Sequence, residues 1–369
     1  MKQSSKTSPR IILSGGGTGG HIFPAVAIAD QLKKEFPSCE ILFVGANGKM
    51  EMEKVPKAGY SIKGVDISGI DRSSIKNNLG FPLKLIKSLS QARKIISDFK
   101  PDFAIGTGGY ASGPTLLMCA LKGIPYLIQE QNSIPGLTNK LLGKRAKAIA
   151  VAYPNMEAFF NKNKIHFTGN PIRTEIFDNY PNQEVSKKKF GLYPNKTTVL
   201  SVGGSLGSQN INKAWEKSVL ELLDQDIQFI WQTGKTDYKR LKELPFADHP
   251  GLILSEFIYN MDDAYAAADV IISRAGAIAI SELCMAQKPV ILIPLPWAAE
   301  DHQTKNAESL ENHKAAIIVK DKDAEQSLVQ KTLELCQNME LREEMSQNIG
   351  LLKKPDATHK IVRIIAEYL

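Results

Sequence analysis

The sequence lacks the features that mark disulfide-rich, zinc-binding and membrane-spanning chains. It has four cysteines and six histidines in 369 residues, with no Cys-x-x-Cys pair and no cluster of histidines. A disulfide framework or a structural zinc site would need such spacing, so we expect buried thiols in a reducing cytoplasm. The longest apolar runs, such as 290–296, are far shorter than the ~20 residues that cross a bilayer. The first ten residues are polar, so we expect neither a signal peptide nor a transmembrane helix.

The remaining composition is that of a globular protein, with 43% hydrophobic and 23% charged residues. The chain exceeds the roughly 250 to 300 residues at which a single hydrophobic core stops growing, so two domains are expected. The net charge of +7 would suit phosphate-bearing partners, including nucleic acid and anionic lipid headgroups. It selects none of them.

A repeated pattern of a short apolar run, a glycine-rich loop and a helical stretch predicts parallel α/β domains. The apolar runs are 11–13, 41–44, 103–105, 126–128, 198–202, 229–231, 270–272 and 290–293. We predict two Rossmann-like doubly wound domains that face a cleft, at 9–170 and 171–352. The apolar spacing in 353–369 predicts a C-terminal helix that returns to the first domain, and we expect a disordered tail over 1–8.

The first glycine-rich loop has the spacing of a dinucleotide fingerprint, with Gly15, Gly17 and Gly20 between a strand and a helix. A nicotinamide-binding unit also needs a carboxylate after the second strand, and none follows Val44. This argues against a dehydrogenase. Backbone N–H groups and a helix starting near Pro24 could instead cradle a diphosphate, although glycines also serve simply to allow a tight turn.

Three further features at strand ends support binding of a nucleotide and a diphosphate. A second glycine loop at 106–114 would widen the anion site, and the predicted diphosphate residues are Gly17, Gly108, Gly109 and Tyr110. A third glycine loop lies at 203–208. In 274–282 a helix start could face a phosphate while Glu282 accepts hydrogen bonds from ribose hydroxyls. An ordinary solvated glutamate is the alternative for Glu282.

Seven segments in this order resemble the MurG family of bacterial glycosyltransferases, and the resemblance extends over nearly the whole chain. They are GGGTGGHIFPA at 15–25, GTGGYASGP at 106–114, EQNSIPG at 130–136, GNPIR at 169–173, GGSLGS at 203–208, RAGAIAISE at 274–282 and DHQTKNA at 301–307. The run 295–300 matches no motif of the family, and no residue there is assigned.

The resemblance implies a GT-B type fold and an inverting transfer of N-acetylglucosamine (GlcNAc). The donor would be UDP-GlcNAc, and the acceptor would be the C4 hydroxyl of N-acetylmuramic acid in undecaprenyl-diphosphate-muramyl-pentapeptide. It also implies a peripheral position at the cytoplasmic face of the plasma membrane, with other cell-wall synthesis proteins as candidate partners and no nucleic acid. The donor contacts that it implies are Thr18, Gly19, Gly20, Asn132, Arg173, Ser205, Ile258, Ala277, Ile278, Ala279, Ile280, Ser281, Glu282 and Gln303.

The transfer needs a base for the acceptor hydroxyl, and we predict that His21 fills this role because its ordinary pKa is near 6.5. The alternative is that His21 donates a hydrogen bond to a phosphate. Asp321-Lys322-Asp323 spells the Asp-x-Asp pair of metal-dependent transferases, but the residues that follow favour Asp323 as a helix N-cap with Gln326 closing a capping box. We therefore expect that no metal or other cofactor is required.

A lipid acceptor requires membrane contact, and the segment 72–94 offers a candidate surface. Leu79, Phe81 and Leu83 form a predicted apolar membrane patch next to Pro82, within a basic surround of Arg72, Lys76, Lys84 and Lys87. A loop packed on its own domain is the alternative. Two rival functions also remain open: a related transferase acting on another lipid or a soluble acceptor, and a protein resembling a UDP-GlcNAc epimerase.

Overall fold

The computed structural model describes residues 8–69, 80–172, 175–178, 180–204 and 206–369. The chain divides into two compact units, with unit 1 comprising Met1–Arg173 and Lys354–Leu369 and unit 2 comprising Thr174–Lys353. Some residues of the sequence predictions lie outside the described residues, namely Arg72, Lys76, Leu79, Arg173 and Ser205.

Unit 1 is built on a seven-stranded parallel sheet with the strand order β3-β2-β1-β4-β5-β6-β7. Its strands are β1 (Arg10–Gly15), β2 (Glu40–Ala46), β3 (Ser61–Val65), β4 (Phe103–Gly108), β5 (Tyr126–Glu130), β6 (Ala148–Val151) and β7 (Ile165–Phe167). The central strands are buried along almost their whole length, which explains why they are continuous apolar runs without polar alternation.

Unit 2 repeats this design with six parallel strands in the order β10-β9-β8-β11-β12-β13. Its strands are β8 (Thr198–Val202), β9 (Gln228–Gln232), β10 (Leu252–Ser255), β11 (Val270–Ser273), β12 (Val290–Leu292) and β13 (Ala316–Ile318). Both orders are doubly wound, so the fold class predicted from the sequence is confirmed.

Helices connect these strands. They are α1 (Gly19–Glu35), α2 (Glu51–Lys57), α3 (Phe81–Phe99), α4 (Ser112–Leu121), α5 (Leu137–Gly143), α6 (Glu175–Asp178), α7 (Gln183–Lys189), α8 (Gln209–Leu223), α9 (Tyr238–Lys242), α10 (Met261–Ala267), α11 (Ala277–Ala286), α12 (His302–Glu311), α13 (Ala324–Gln337), α14 (Met339–Leu351) and α15 (Ala357–Ala366). Single 3-10 turns lie at Met156–Ala158, Lys162–Lys164, Pro245–Asp248, Ala299–Asp301 and Asp321–Asp323.

The last helix, α15, belongs to unit 1. Its residues Ile361, Val362 and Ile365 are fully buried in one apolar cluster with Ile28 and Leu32 of α1. Burying an aliphatic side chain of this size contributes roughly 1.5 to 3 kcal/mol. The end of the chain therefore completes the core of unit 1.

The topology explains where ligand-binding loops can lie. The strand order reverses between β1 and β4 in unit 1 and between β8 and β11 in unit 2. Open parallel sheets bind ligands outside the carboxyl ends of their strands at such a reversal. The first loop (15–20) and the second loop (106–114) lie at this point in unit 1, and the third loop (203–208) and the turn 274–276 lie at it in unit 2.

Candidate active site

The first loop is fixed by hydrogen bonds from its own backbone. Gly16 N–H donates to Gly108 O of the second loop at 3.3 Å, and Gly17 N–H donates to Glu51 Oε2 at 2.9 Å. Gly17 has a φ of +85°, a conformation that favours glycine. Helix α1 begins at Gly19, earlier than the start near Pro24 expected from the sequence, so the loop leads directly into a helix N-terminus.

Glu51 is a fully buried carboxylate at the start of α2. Its Oε1 accepts the Ala46 N–H at 2.9 Å. A Cβ at position 16 would lie 2.1 Å from this oxygen, so Gly16 makes room for the carboxylate. The expectation that the Gly17 N–H binds a diphosphate needs correction, because that N–H already donates to a carboxylate. Sequence reasoning missed Glu51, since a glutamate in the first turn of a helix is common for helix-dipole reasons alone.

His21 is half-buried on the first turn of α1, and the hydrogen bonds of its ring assign the tautomer. Its Nδ1 lies 3.1 Å from Gly16 O and 3.3 Å from Thr18 Oγ1. A carbonyl oxygen can only accept, so Nδ1 carries the proton and Nε2 carries the lone pair of the neutral ring. The ring packs over the second loop, where a Cβ at Gly108 would lie 2.9 Å from Nε2. The tautomer is the one that a base acting through Nε2 requires.

The second loop packs tightly against the first. Gly108 and Gly109 have φ values of +100° and +84°, and a Cβ at position 109 would lie 2.1 Å from Gly16 O. Ser112, the first residue of α4, donates its hydroxyl to Ser14 O at 2.6 Å and lies 2.8 Å from Gly108 O. Tyr110 is 47% exposed. The structure thus brings the predicted residue Gly108 beside His21, and Gly109 and Tyr110 against Gly16 and Gly17 of the first loop.

A buried polar network lies at the end of β5, next to the predicted donor contact Asn132. Glu130 is 1% exposed and accepts hydrogen bonds from Asn132 N at 3.0 Å, Asn132 Nδ2 at 3.3 Å, Gly136 N at 3.2 Å and Asn139 Nδ2 at 2.8 Å. Burial raises the pKa of the Glu130 carboxyl, and these hydrogen bonds oppose the shift. Glu130 therefore orients the loop that carries Asn132. Its role was not predicted from the sequence.

The exposed apolar residues of α3 differ from those predicted. Leu83 is 74% exposed and Ile86 is 65% exposed. Phe81 is partly buried and packs against the core of unit 1, so its assignment to an exposed patch is wrong. Lys87 forms an ion pair with Asp66 at 2.7 Å. We call Leu83 and Ile86 the α3 patch.

In unit 2, Gln232 joins two of the loops at the carboxyl ends of the strands. Its Nε2 donates to Gly204 O of the third loop at 3.0 Å, and its Oε1 accepts the Ile258 N–H at 2.8 Å. Because that N–H is already bonded, a donor contact at Ile258 would have to use its carbonyl. Its neighbours Phe257 and Tyr259 are 43% and 86% exposed.

Helix α11 begins after Gly276, at the carboxyl end of β11, so the positive end of its dipole would attract an anion there. Glu282 is half-buried on this helix, and its Oε2 accepts a hydrogen bond from the Tyr265 hydroxyl at 3.1 Å. Ser281 donates to Ala277 O at 3.0 Å. Within the predicted run 277–282, Ile280 needs correction. Its side chain is 3% exposed in the core, and its N–H donates to Gly276 O.

The loop before α12 is shaped by Gln303 and by two left-handed residues. Gln303 is half-buried, and its Oε1 accepts the Leu295 N–H at 3.0 Å. Glu300 and Asp301 have φ values of +56° and +53°, which are unfavourable for residues other than glycine. Trp297, in the unassigned run 295–300, is 75% exposed. The predicted donor contact Gln303 thus also fixes this loop.

Asp321 of the Asp-x-Asp sequence is part of a buried ion pair. Arg274 Nη1 lies 2.6 Å from its Oδ1, with side-chain exposures of 14% for the arginine and 4% for the aspartate. Arg274 also donates to Ser208 Oγ at 2.6 Å and to Ile293 O at 3.0 Å. Asp321 therefore has a structural role as the partner of Arg274. Over the described ranges, no group of three His, Cys, Asp or Glu residues is arranged to hold a metal ion.

The predicted capping box at the start of α13 is only partly correct. Asp323 does precede the helix as its N-cap residue, but its side chain makes no capping hydrogen bond. The backbone of Asp323 has a φ of −99° and a ψ of 2° instead of the extended conformation that aims a capping side chain at the first turn.

Comparison with known proteins assigns both units. Residues 11–151 match the family described as "Glycosyltransferase family 28 N-terminal domain", and residues 198–361 match "Glycosyltransferase family 28 C-terminal domain". A protein of Cytophaga hutchinsonii is 52% identical over 360 residues, which cover 98% of this chain and 97% of the relative. It is named UDP-N-acetylglucosamine–N-acetylmuramyl-(pentapeptide) pyrophosphoryl-undecaprenol N-acetylglucosamine transferase.

Two further similar proteins support the same family assignment. A Phocaeicola vulgatus protein with the same name is 51% identical over 356 residues, covering 96% of this chain and 95% of the relative. Among solved structures, Acinetobacter baumannii MurG is similar with a TM-score of 0.76 and 30% identity, covering 97% of this chain and 99% of that one.

Proposed function

The chain belongs to glycosyltransferase family 28, and from this premise we propose that it transfers GlcNAc from UDP-GlcNAc to lipid-linked N-acetylmuramyl-pentapeptide in peptidoglycan synthesis. The observation that carries the proposal is the 52% identity with a relative named for this reaction over 98% of the chain. The first and second loops, with His21 in the tautomer suited to a base, support it from the geometry of unit 1.

Unit 2 would bind the nucleotide of the donor. The N-terminus of α11 would stabilise the diphosphate, and Glu282 would accept hydrogen bonds from the ribose hydroxyls. Gln303, the carbonyl of Ile258, Ser205 and the α11 residues Ala277, Ile278, Ala279 and Ser281 would complete the site in unit 2. Arg173 is a further expected donor contact, and Arg173 and Ser205 lie outside the described residues. In unit 1, the family resemblance assigns donor contacts to Thr18, Gly19, Gly20 and Asn132.

His21 would act as the general base of a single displacement. The acceptor C4 hydroxyl attacks the anomeric carbon of GlcNAc and gives its proton to His21 Nε2, while the bond from that carbon to the diphosphate breaks and UDP leaves. The configuration inverts because attack occurs from the face opposite the leaving group. If His21 instead only donates a hydrogen bond to a phosphate, His21→Gln will retain most of kcat.

The charge on the departing diphosphate would be stabilised by backbone N–H groups, with no metal or other cofactor required. Helix N-termini carry about half a positive charge, and α11 presents one next to Gly276. The acceptor diphosphate would be bound by the second loop at Gly109, Tyr110 and the start of α4, rather than by Gly17. Loss of activity with a chelator and its recovery with magnesium would contradict this part of the proposal.

Access to a lipid acceptor would come from peripheral binding of unit 1 to the cytoplasmic face of the membrane. No helix in the described ranges is both long and apolar enough to cross a bilayer. The α3 patch offers two exposed aliphatic side chains, each able to contribute roughly 1.5 to 3 kcal/mol when buried in lipid. Because Asp66 already pairs with Lys87, this lysine would attract anionic headgroups less strongly. We therefore expect burial of Leu83 and Ile86 to contribute more to membrane binding than electrostatic attraction does.

The membrane part is tested with Leu83→Asp/Ile86→Asp, which spares the core residue Phe81. Flotation with vesicles containing anionic lipid should fall at least tenfold, while the melting temperature stays near that of the parent protein. The exposed Leu220→Asp of unit 2 is the matched control and should float normally. Equal flotation of all three proteins would refute binding through the α3 patch.

The activity is tested with a synthetic lipid-linked muramyl-pentapeptide and labelled UDP-GlcNAc. We expect a product heavier by one N-acetylhexosamine, formed only when the acceptor is present. Labelled product with diacylglycerol but none with the muramyl lipid would indicate another acceptor. Conversion of UDP-GlcNAc to an epimer without any acceptor would indicate an epimerase.

A further inference from the structure

Glu51 reaches His21 through a single peptide group. The Gly16–Gly17 peptide donates its N–H to Glu51 Oε2 at 2.9 Å, and its carbonyl accepts from His21 Nδ1 at 3.1 Å. We propose that Glu51 is a positioning residue that acts through this peptide on His21, holding the proton on Nδ1 and leaving Nε2 as the basic nitrogen. This inference rests on the proposed function in one respect, namely that Nε2 of His21 takes the proton during transfer.

The physical basis is the cooperativity of linked hydrogen bonds. A carboxylate that accepts from an amide N–H increases the negative charge on the carbonyl oxygen of the same amide, and that oxygen becomes a stronger acceptor. The effect is greatest where water is excluded, and Glu51 is 0% exposed. In the ranges that the structure describes, no lysine or arginine forms an ion pair with Glu51. Within those ranges, its charge therefore has no ion-pair partner that competes with the Gly16–Gly17 peptide.

The surrounding residues hold the carboxylate in one orientation. Ala46 N–H binds its other oxygen at 2.9 Å, so both oxygens are fixed. A Cβ at Gly45 would lie 2.6 Å from Glu51 Cγ, and Gly16 also leaves space for the carboxylate, so two glycines accommodate this side chain. Tyr110 also lies next to this peptide, since its ring would be 3.6 Å from a Cβ at Gly17.

This arrangement resembles a carboxylate–histidine pair with one peptide inserted between the partners. In a direct pair, a carboxylate bonded to Nδ1–H fixes the tautomer and stabilises the imidazolium that forms when Nε2 takes a proton. Here the peptide passes on a part of that effect. Removing the charge at Glu51 should weaken the preference for Nδ1–H and make His21 less basic.

The test is nuclear magnetic resonance of the full-length protein with ¹⁵N-labelled histidine rings. His21→Gln identifies the His21 signals among the six histidines. In the unsubstituted protein we expect the Nδ1–H tautomer. In Glu51→Gln we expect a mixed tautomer and a titration midpoint lower by roughly 0.5 to 1 unit. The acidic limb of the kcat/KM profile should move in the same direction.

Glu130→Gln is the matched control, because it removes another buried carboxylate of unit 1 that does not contact the Gly16–Gly17 peptide. It should leave the tautomer and the midpoint of His21 unchanged. An Nε2–H tautomer in the unsubstituted protein would overturn the proposal, and this result does not depend on whether Glu51→Gln folds. An unchanged tautomer and midpoint in folded Glu51→Gln would also overturn it.

Failure of the proposed function gives a different result. If transfer to the muramyl lipid is absent but the His21 tautomer responds to Glu51→Gln, the coupling through the peptide stands and the assigned reaction is wrong. If transfer occurs and depends on His21 but the tautomer does not respond, only the role of Glu51 is wrong.

Discussion

Replacing Arg274 by methionine should destabilise unit 2 far more than the loss of an ordinary ion pair. The guanidinium is 14% exposed and its partner Asp321 is 4% exposed. Removing one member of a buried pair leaves an uncompensated charge, which costs about 3 to 5 kcal/mol. Arg274 also holds Ser208 at the end of the third loop, so we expect weaker UDP binding as well.

The assay uses the position of the tryptophans. All three, Trp215, Trp231 and Trp297, lie in unit 2, and the first two are fully buried. Urea unfolding followed by tryptophan fluorescence therefore reports the stability of unit 2. The matched control is Lys217→Met, which removes an exposed ion pair with Glu325 in the same unit and should cost at most about 1 kcal/mol.

A double-mutant cycle isolates the pair. Asp321→Asn should cost less than Arg274→Met, because the remaining arginine is partly hydrated and keeps its bonds to Ser208 and Ile293. The double variant should be more stable than the sum of the two single effects predicts, by roughly 1 to 3 kcal/mol. Additivity within about 0.5 kcal/mol would refute the reasoning, as would a cost for Arg274→Met equal to that of the Lys217 control.

Three further predictions concern the buried parts of the chain. Gly109→Ala should lower kcat at least tenfold, because an added Cβ would lie 2.1 Å from the backbone of the first loop. Gly123→Ala is the control and should retain activity, because Gly123 has a similar φ of +73° but no atom lies within 4 Å of an added Cβ. Because burial raises the pKa of Glu130, the stabilisation from its protonated form is lost as pH rises through the folded-state pKa. The unfolding free energy relative to Glu130→Gln should therefore fall as the pH rises from the ordinary glutamate pKa of 4.5 through the raised folded-state pKa. An increase over this range would contradict the assignment. Burial raises the pKa values of Cys119 and Cys336 to about 12, so neither thiol should react with iodoacetamide at neutral pH until urea unfolds the protein, as mass spectrometry would detect.

The strands and their order of appearance could be predicted because a sheet covered on both faces needs continuous apolar runs. The run 11–13 became β1 and the run 103–105 became β4, each within a few residues of the predicted limits. The glycine spacing also placed the loops correctly at the strand ends. Helix limits were predicted less well. Pro24 suggested that α1 starts near residue 24, but the helix begins at Gly19.

The details of the site could not be obtained in this way. Glu51 is 34 residues from Gly17 in sequence, and nothing in its local pattern separates it from an exposed helix glutamate. Phe81 was expected on the surface because it lies beside Leu83, yet the side of the helix on which each residue lies depends on how α3 packs. Asp323 was expected to cap its helix, and its backbone conformation prevents this.

The sequence by itself determined the fold class and the positions of the glycine-rich loops, because apolar periodicity and glycine spacing are local properties that do not depend on distant partners. Its seven motifs, through their resemblance to a known family, indicated the family. Only the tertiary structure decided which N–H groups remain for ligands, which tautomer His21 adopts and which carboxylate lies behind it. Those depend on contacts between residues distant in the chain, such as Gly17 with Glu51 and Arg274 with Asp321, and are set when parallel strands bring their carboxyl ends together.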